Sequence, residues 1–161
     1  LPRFLPEAVI MAVQPLQQDY DFEGFYAPIV QFQETSVAYP GTQELASPQV
    51  YSILDFTQPT GTAIGWEGRF LVEKSGTLNA LRFITKNVLA VVPEESGTID
   101  WLNHYMTLPL HQPLNVHAGD VLSVSFAYRA GGSIPSLEAS MRVDVLYDAI
   151  AAGVQRTAEL A

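Results

Sequence analysis

An all-β fold, an antiparallel barrel or distorted sandwich, is what the sequence predicts, and three observations predict it. Short apolar, β-prone runs recur along the chain and are punctuated by Gly and Pro turns at fairly regular spacing. Val121 to Arg129 shows a clean period of two: Leu122, Val124, Phe126 and Tyr128 face one way, and Ser123, Ser125, Ala127 and Arg129 the other. Strands do not alternate with long helices, which disfavours a doubly wound sheet. At 161 residues, 48% hydrophobic and 16% charged, the chain suits a single globular domain over 1–161 with one core.

The elements follow in order. Ala8 to Val13 reads as the first strand, bounded by Pro6 and Pro15. Residues 19–33 mix acids with Tyr20, Phe22, Phe25, Tyr26 and Phe32 around Gly24 and Pro28, so neither period holds and an irregular, partly helical arm is expected. The main barrel is placed at 50–146. It opens with Val50 to Thr57, a strand apolar on both faces, followed by a loop marked by Pro59, Gly61, Gly65 and Gly68. Arg69 to Lys74 and Thr77 to Thr85 read as a hairpin joined by Ser75-Gly76. Val88 to Val92, Tyr105 to Leu110 and Pro113 to Val116 are further strands, and His117 to Asp120 is a turn. After Gly131-Gly132, the residues Leu137, Ala139, Met141, Val143 and Val145 resume a period of two. The Ala-rich stretch 147–161 reads as a short C-terminal helix or tail.

Composition excludes several functions. The formal net charge is −9, with 17 acidic against 8 basic residues, and no cluster of positive charge for a phosphate backbone is visible, so nucleic acid is not an expected partner. The same acidity suits a basic peptide or protein substrate. Without cysteine there are no disulfides, thiolate metal sites or cysteine nucleophiles. The longest apolar run, Val88 to Val92, is too short to cross a bilayer, and no signal peptide is visible, so a cytoplasmic protein without membrane contact is expected. The opening Leu1-Pro2-Arg3 suggests a processed chain or a piece of a longer one.

Self-contained chemistry is hard to find. His104, His111 and His117 are seven and six residues apart on expected strand ends and turns, which reads as surface histidines rather than a metal cluster. No Ser sits in a Gly-x-Ser-x-Gly elbow, and the glycines at 61, 65 and 68 match neither the dinucleotide nor the P-loop spacing. The Glu94-Glu95 pair fits a solvated hairpin exit. Neither a catalytic nor a metal-binding residue is assigned, and the residues alone describe a binding or scaffolding β domain.

From Gly68 to Val145 the order of features resembles the C-terminal barrel of the protein arginine methyltransferases. Arg69 to Phe83 is similar to the paired strands opening that barrel's second half. Thr98-Ile99-Asp100-Trp101-Leu102-Asn103 stands where the family has its Thr-His-Trp loop, and Leu114 to Leu122 resembles its Leu-x-Val-x-x-Gly-Asp/Glu turn. The resemblance implies a substrate-binding role for Asp100, Trp101, Asn103 and His104, and a dimerising role for Phe22, Phe25 and Tyr26 on the arm, giving a homodimer. It also implies that S-adenosylmethionine and the catalytic glutamates belong to a separate N-terminal catalytic domain, absent from this chain. The chain itself then carries no cofactor and transfers no methyl group alone. Asp100 stands in place of the family's His and Ile99 in place of its Thr. A carboxylate cannot replace imidazole beside another carboxylate, so the methyl acceptor stays open. The alternative is a free-standing β-sandwich module for carbohydrate or peptide, with Trp66, Trp101 and the tyrosines as a stacking platform.

Overall fold

The computed structural model describes residues 5–35, 37, 39–92, 94, 96–101, 103–148 and 150. It is an all-β fold of distorted-sandwich type with one short helix among the described residues. The strands are β1 (Ala8–Gln18), β2 (Asp21–Phe22), β3 (Phe25–Tyr26), β4 (Gln31–Glu34), β5 (Thr42–Glu44), β6 (Gln49–Asp55), β7 (Ala63–Leu71), β8 (Gly76–Val92), β9 (Gly97–Asp100), β10 (His104–Val116), β11 (Val121–Arg129) and β12 (Arg142–Tyr147); the helix α1 spans Ile134–Ser140. The larger sheet runs β4-β10-β8-β1-β5, with β6 also on β1 and β9 on the far end of β8. The smaller sheet is β12-β11-β7. Between the two lies the main core, which includes Val13, Leu81, Phe83, Leu108, Leu122, Val124 and Phe126.

The strand expected over 8–13 continues to Gln18, straight through Pro15. Pro15 accepts a hydrogen bond from the Leu45 amide at 3.2 Å, so its backbone edge faces the side on which β5 gives way to β6. A missing N–H costs the ladder nothing there. β6 is not buried on both faces: Val50 and Ile53 are exposed, because β6 pairs only with β1 and nothing covers its outer side among the described residues. A bulge opposite Met11 and Ala12 leaves Tyr51 without a cross-strand partner and turns its ring into the core.

Three further expectations are corrected. Gly65 and Gly68 lie inside β7, not in a loop, since β7 pairs with β11 from Ala63↔Arg129 to Leu71↔Val121. The Ser75-Gly76 hairpin does not form: β7 belongs to the smaller sheet and β8 to the larger, so this turn carries the chain between layers. Val88 to Val92 is the end of the 17-residue β8, and the two strands expected over 105–116 are one strand with a bulge at 110–113. Pro113 sits in that bulge, where no ladder donor is required.

The period of two expected from Leu137 is broken by α1. Ser133 caps it, its hydroxyl accepting from the Ser136 amide, and Pro135 lies in the first turn, where its lack of an N–H is harmless. Leu137 still reaches the core, and strand geometry resumes only at Arg142. The turn at 117–120 forms as expected. Asp120, almost fully buried, accepts from the His117 amide at 2.7 Å, and Gly119 takes the left-handed φ of 97° that the reversal needs. Tyr147 ends β12, so the helix expected over 147–161 does not begin there; most of that stretch, like Leu1, Glu95 and Leu102, lies outside the described residues.

Candidate functional site

The arm contains no helix. Asp21–Phe22 and Phe25–Tyr26 form a hairpin whose central residues Glu23 and Gly24 have φ of 54° and 90°, the paired positive values of a tight two-residue turn. Asp21 Oδ1 accepts from the Gly24 amide at 2.8 Å and braces the turn. Tyr20 anchors the hairpin, its ring buried with Leu16 and Ala80 on the outer face of the larger sheet and edge-on to Tyr26. Burial, with Tyr26 adding to it, pushes the Tyr20 hydroxyl up to about 12. Beyond this anchor the aromatic side chains stand in solvent: Phe25 is 78% exposed, Phe32 71% and Tyr26 64%, with Phe22 less so.

The β9–β10 connection carries the other expected residues, and the structure divides them by role. Trp101 is 60% exposed. Its amide donates to the Asn87 carbonyl at 3.1 Å, while Asn103 Oδ1 accepts from the Asn87 amide at 3.0 Å, so both ends of the loop are tied to one residue of β8. Asp100 pairs with Lys86 at 3.1 Å. Partial burial pushes its carboxyl up, but hydrogen bonds from Thr98, Lys86 and Asn103 and the Lys86 charge outweigh burial and hold the pKa below the usual 3.8. Asp100 and Asn103 therefore hold the loop, and Trp101 is what the loop displays.

A lowered carboxyl pKa contributes stability above the unfolded value and loses it as pH falls through the folded one. Asp100→Asn should thus cost about 0.2–1 kcal/mol at neutral pH, the range of a partly exposed ion pair. The difference from wild type should shrink as pH falls through the lowered pKa of Asp100. Urea titrations at neutral pH and in acid check this.

His104 is placed differently from its loop. Cross-strand pairs share a face of a sheet, and the rung Met11–Thr85–His104 lies on the inner face, as does the next, Val13–Phe83–Met106–Phe32, with His104 and Phe32 at its exposed edge. Over these rungs the smaller sheet and α1 do not close, which leaves a cavity of about 390 Å³. Its far wall is Tyr128 and the segment from Gly131 to Ile134, with Leu137 behind. Tyr51 and Tyr128 meet there through their hydroxyls at 3.0 Å, and Tyr128 reaches the Met11 sulfur at 3.6 Å. Burial, reinforced for Tyr51 by donation to Tyr128, raises both phenols, so both stay neutral. This cavity has no linear signature, because its wall residues come from seven elements and the turn after β11. The period-two inward sets of β8, β10 and β11 were its only trace in the sequence.

Trp66 and Trp101 do not share a platform. Trp66 packs on Phe70, Phe126 and Tyr51 in the core, whereas Trp101 stands on the surface. Ligand atoms of His117, Asp120 and Asp148 lie within 4.8 Å of one another. The hydrogen bond from the His117 amide to the Asp120 carboxylate is part of the turn and brings the first two of these together.

The site and fold thus define an all-β protein with a displayed aromatic hairpin and an internal apolar cavity. No protein-family model matches the sequence, and no curated protein does. Among solved structures the chain is similar to one in the Trypanosoma brucei PRMT1 enzyme-prozyme heterotetrameric complex with AdoHcy, with a TM-score of 0.49 and 17% identity. The match covers 76% of this chain and 47% of that one, so this chain spans about half the length of the protein it matches. No helix among the described residues is long and apolar enough to cross a membrane.

Proposed function

We propose that this chain is the substrate-side barrel of a methyltransferase resembling the protein arginine methyltransferases, inactive alone and associating into a homodimer through its arm. The observation that carries the association is the hairpin itself: Phe22, Phe25 and Tyr26 are exposed on an anchored element. Contiguous exposed aromatics on an ordered element mark an interface, and a second copy offers the same patch to a two-fold axis. Trp101 and His104 would face the acceptor, with Asp100 and Asn103 positioning their loop. A net charge of −9 suits a basic peptide or protein acceptor. S-adenosylmethionine would be held by a separate catalytic domain, and the setting would be cytoplasmic.

Sedimentation velocity tests the arm. Phe22→Ala with Phe25→Ala is expected to weaken self-association by about 100-fold or more, since buried aromatic anchors contribute about 2 kcal/mol or more each. An unchanged mass distribution would remove the arm from the interface. Calorimetry with S-adenosylmethionine should give no binding heat for this chain, and a clear isotherm would overturn the division of labour.

A further inference from the structure

We infer that the cavity between the sheets is a binding site for a small, uncharged aromatic carbonyl compound. Its ring lies among the aromatic and thioether side chains, and its oxygen accepts a hydrogen bond from the Tyr128 hydroxyl. This rests on the cavity and is independent of whether the arm self-associates.

Three observations converge. The first is the size and make-up of the wall. About 390 Å³ lies at the lower end of the range of small-molecule sites. Met11 and Phe83 are buried side chains of the inner face, and Tyr51 is held edge-on to Phe83 and Phe126. Met106 packs against the same core. Fixed rings beside adaptable, polarisable thioethers suit a flat aromatic guest.

The second observation is a hydrogen-bond relay that ends badly. The Tyr51 and Tyr128 hydroxyls are 3.0 Å apart, and Tyr128 donates onward to the Met11 sulfur at 3.6 Å. With the Tyr128 proton on sulfur, Tyr51 is the donor between the two phenols. The last donor of the relay is thus left with a thioether, a weak acceptor. All three residues line the cavity, so a carbonyl oxygen inside it offers Tyr128 the stronger partner that the protein does not supply.

The third is charge. No acidic residue is among those lining the cavity. Of the two basic residues that border it, Arg129 alternates with Tyr128 along β11, so its side chain leaves by the opposite face, and His104 stands exposed at the sheet edge. An ion drawn inside would lose its water and find no counter-charge, which selects a neutral guest.

The three methionines supply an internal control, because Met11 and Met106 line the cavity and Met141 does not. With ¹³C-methyl methionine labelling, 1-indanone should shift the Met11 and Met106 resonances, half-saturate at about 1 mM or below, and leave Met141 in place. Indane, the same skeleton without the oxygen, should shift the same two signals. Tyr128→Phe should weaken 1-indanone about tenfold and leave indane within about twofold, so that indane reports an intact cavity in the variant. The cation 1-aminoindane should bind wild type about tenfold more weakly than 1-indanone, or worse. Three outcomes would overturn the inference: no movement of Met11 and Met106 at about 10 mM 1-indanone, a Tyr128→Phe variant that keeps full 1-indanone affinity or loses both neutral probes equally, or equal binding of the ketone and the cation.

Discussion

Phe126→Ala is expected to lower the unfolding free energy by about 3–5 kcal/mol, the largest effect of any single truncation named here. Phe126 is 3% exposed and sits where the two sheets meet. Its ring lies 5.0 Å from Tyr51, 5.1 Å from Phe83, 5.5 Å from Trp66 and 6.3 Å from Tyr128, centroid to centroid. Those partners come from β6, β8, β7 and β11, so the ring joins both layers. Truncation removes aromatic area and leaves a hole that cannot collapse, because each neighbour is itself fixed on a paired strand. The hole would also adjoin the cavity beside Tyr51 and Phe83. Urea unfolding should show a lower midpoint with a similar slope; a loss under about 1 kcal/mol would mean that the sheets repack freely around the site.

Much of this layout was legible in the sequence. β11 was readable because a strand half-buried between two paired neighbours writes its environment as a strict period of two. The turn at His117–Asp120 was readable because Gly119 and Asp120 are what that backbone path demands. Where layers exchange, the sequence says less. Ser75-Gly76 has the composition of a hairpin turn, and nothing local records that β7 and β8 pair with different partners. α1 was hidden by a coincidence of phase, since Leu137 and Met141 satisfy both an alternating and a helical pattern; Ser133 with Pro135 was the available signal.

The site divides in the same way. The aromatic excess of 22–32 could be read directly, since exposed Phe and Tyr have no reason in a core. Its hairpin form depended on two positive φ values at Glu23 and Gly24, of which only the glycine was a signal. The loop around Trp101 was found from resemblance, but its internal roles, Asp100 on Lys86 and Asn103 on Asn87, needed geometry. The cavity could not be found at all until register placed Met11, Thr85 and His104 on one rung.

Gly68→Val should cost about 1–3 kcal/mol, the range of overpacking in a filled core. Ile64, Trp66, Gly68 and Phe70 share the inward face of β7, and the Trp66 ring lies along the strand over Gly68 on its way to Phe70. A Cβ at position 68 would come within 2.3 Å of that ring, far inside contact distance. Either the ring swings away and loses Phe70 and Phe126, or the strand shifts and strains its ladder to β11. The glycine is thus a seat for the indole, which explains why a residue that weakens strands sits inside one. Fluorescence separates the two routes when Trp101→Phe removes the exposed indole and leaves Trp66 as the sole reporter. A red-shifted Trp66 emission with a lowered midpoint is the expected result and means that the ring has moved. An unchanged spectrum with wild-type stability would show that Trp66 is not held where the core packing puts it, and the account of Gly68 would fall.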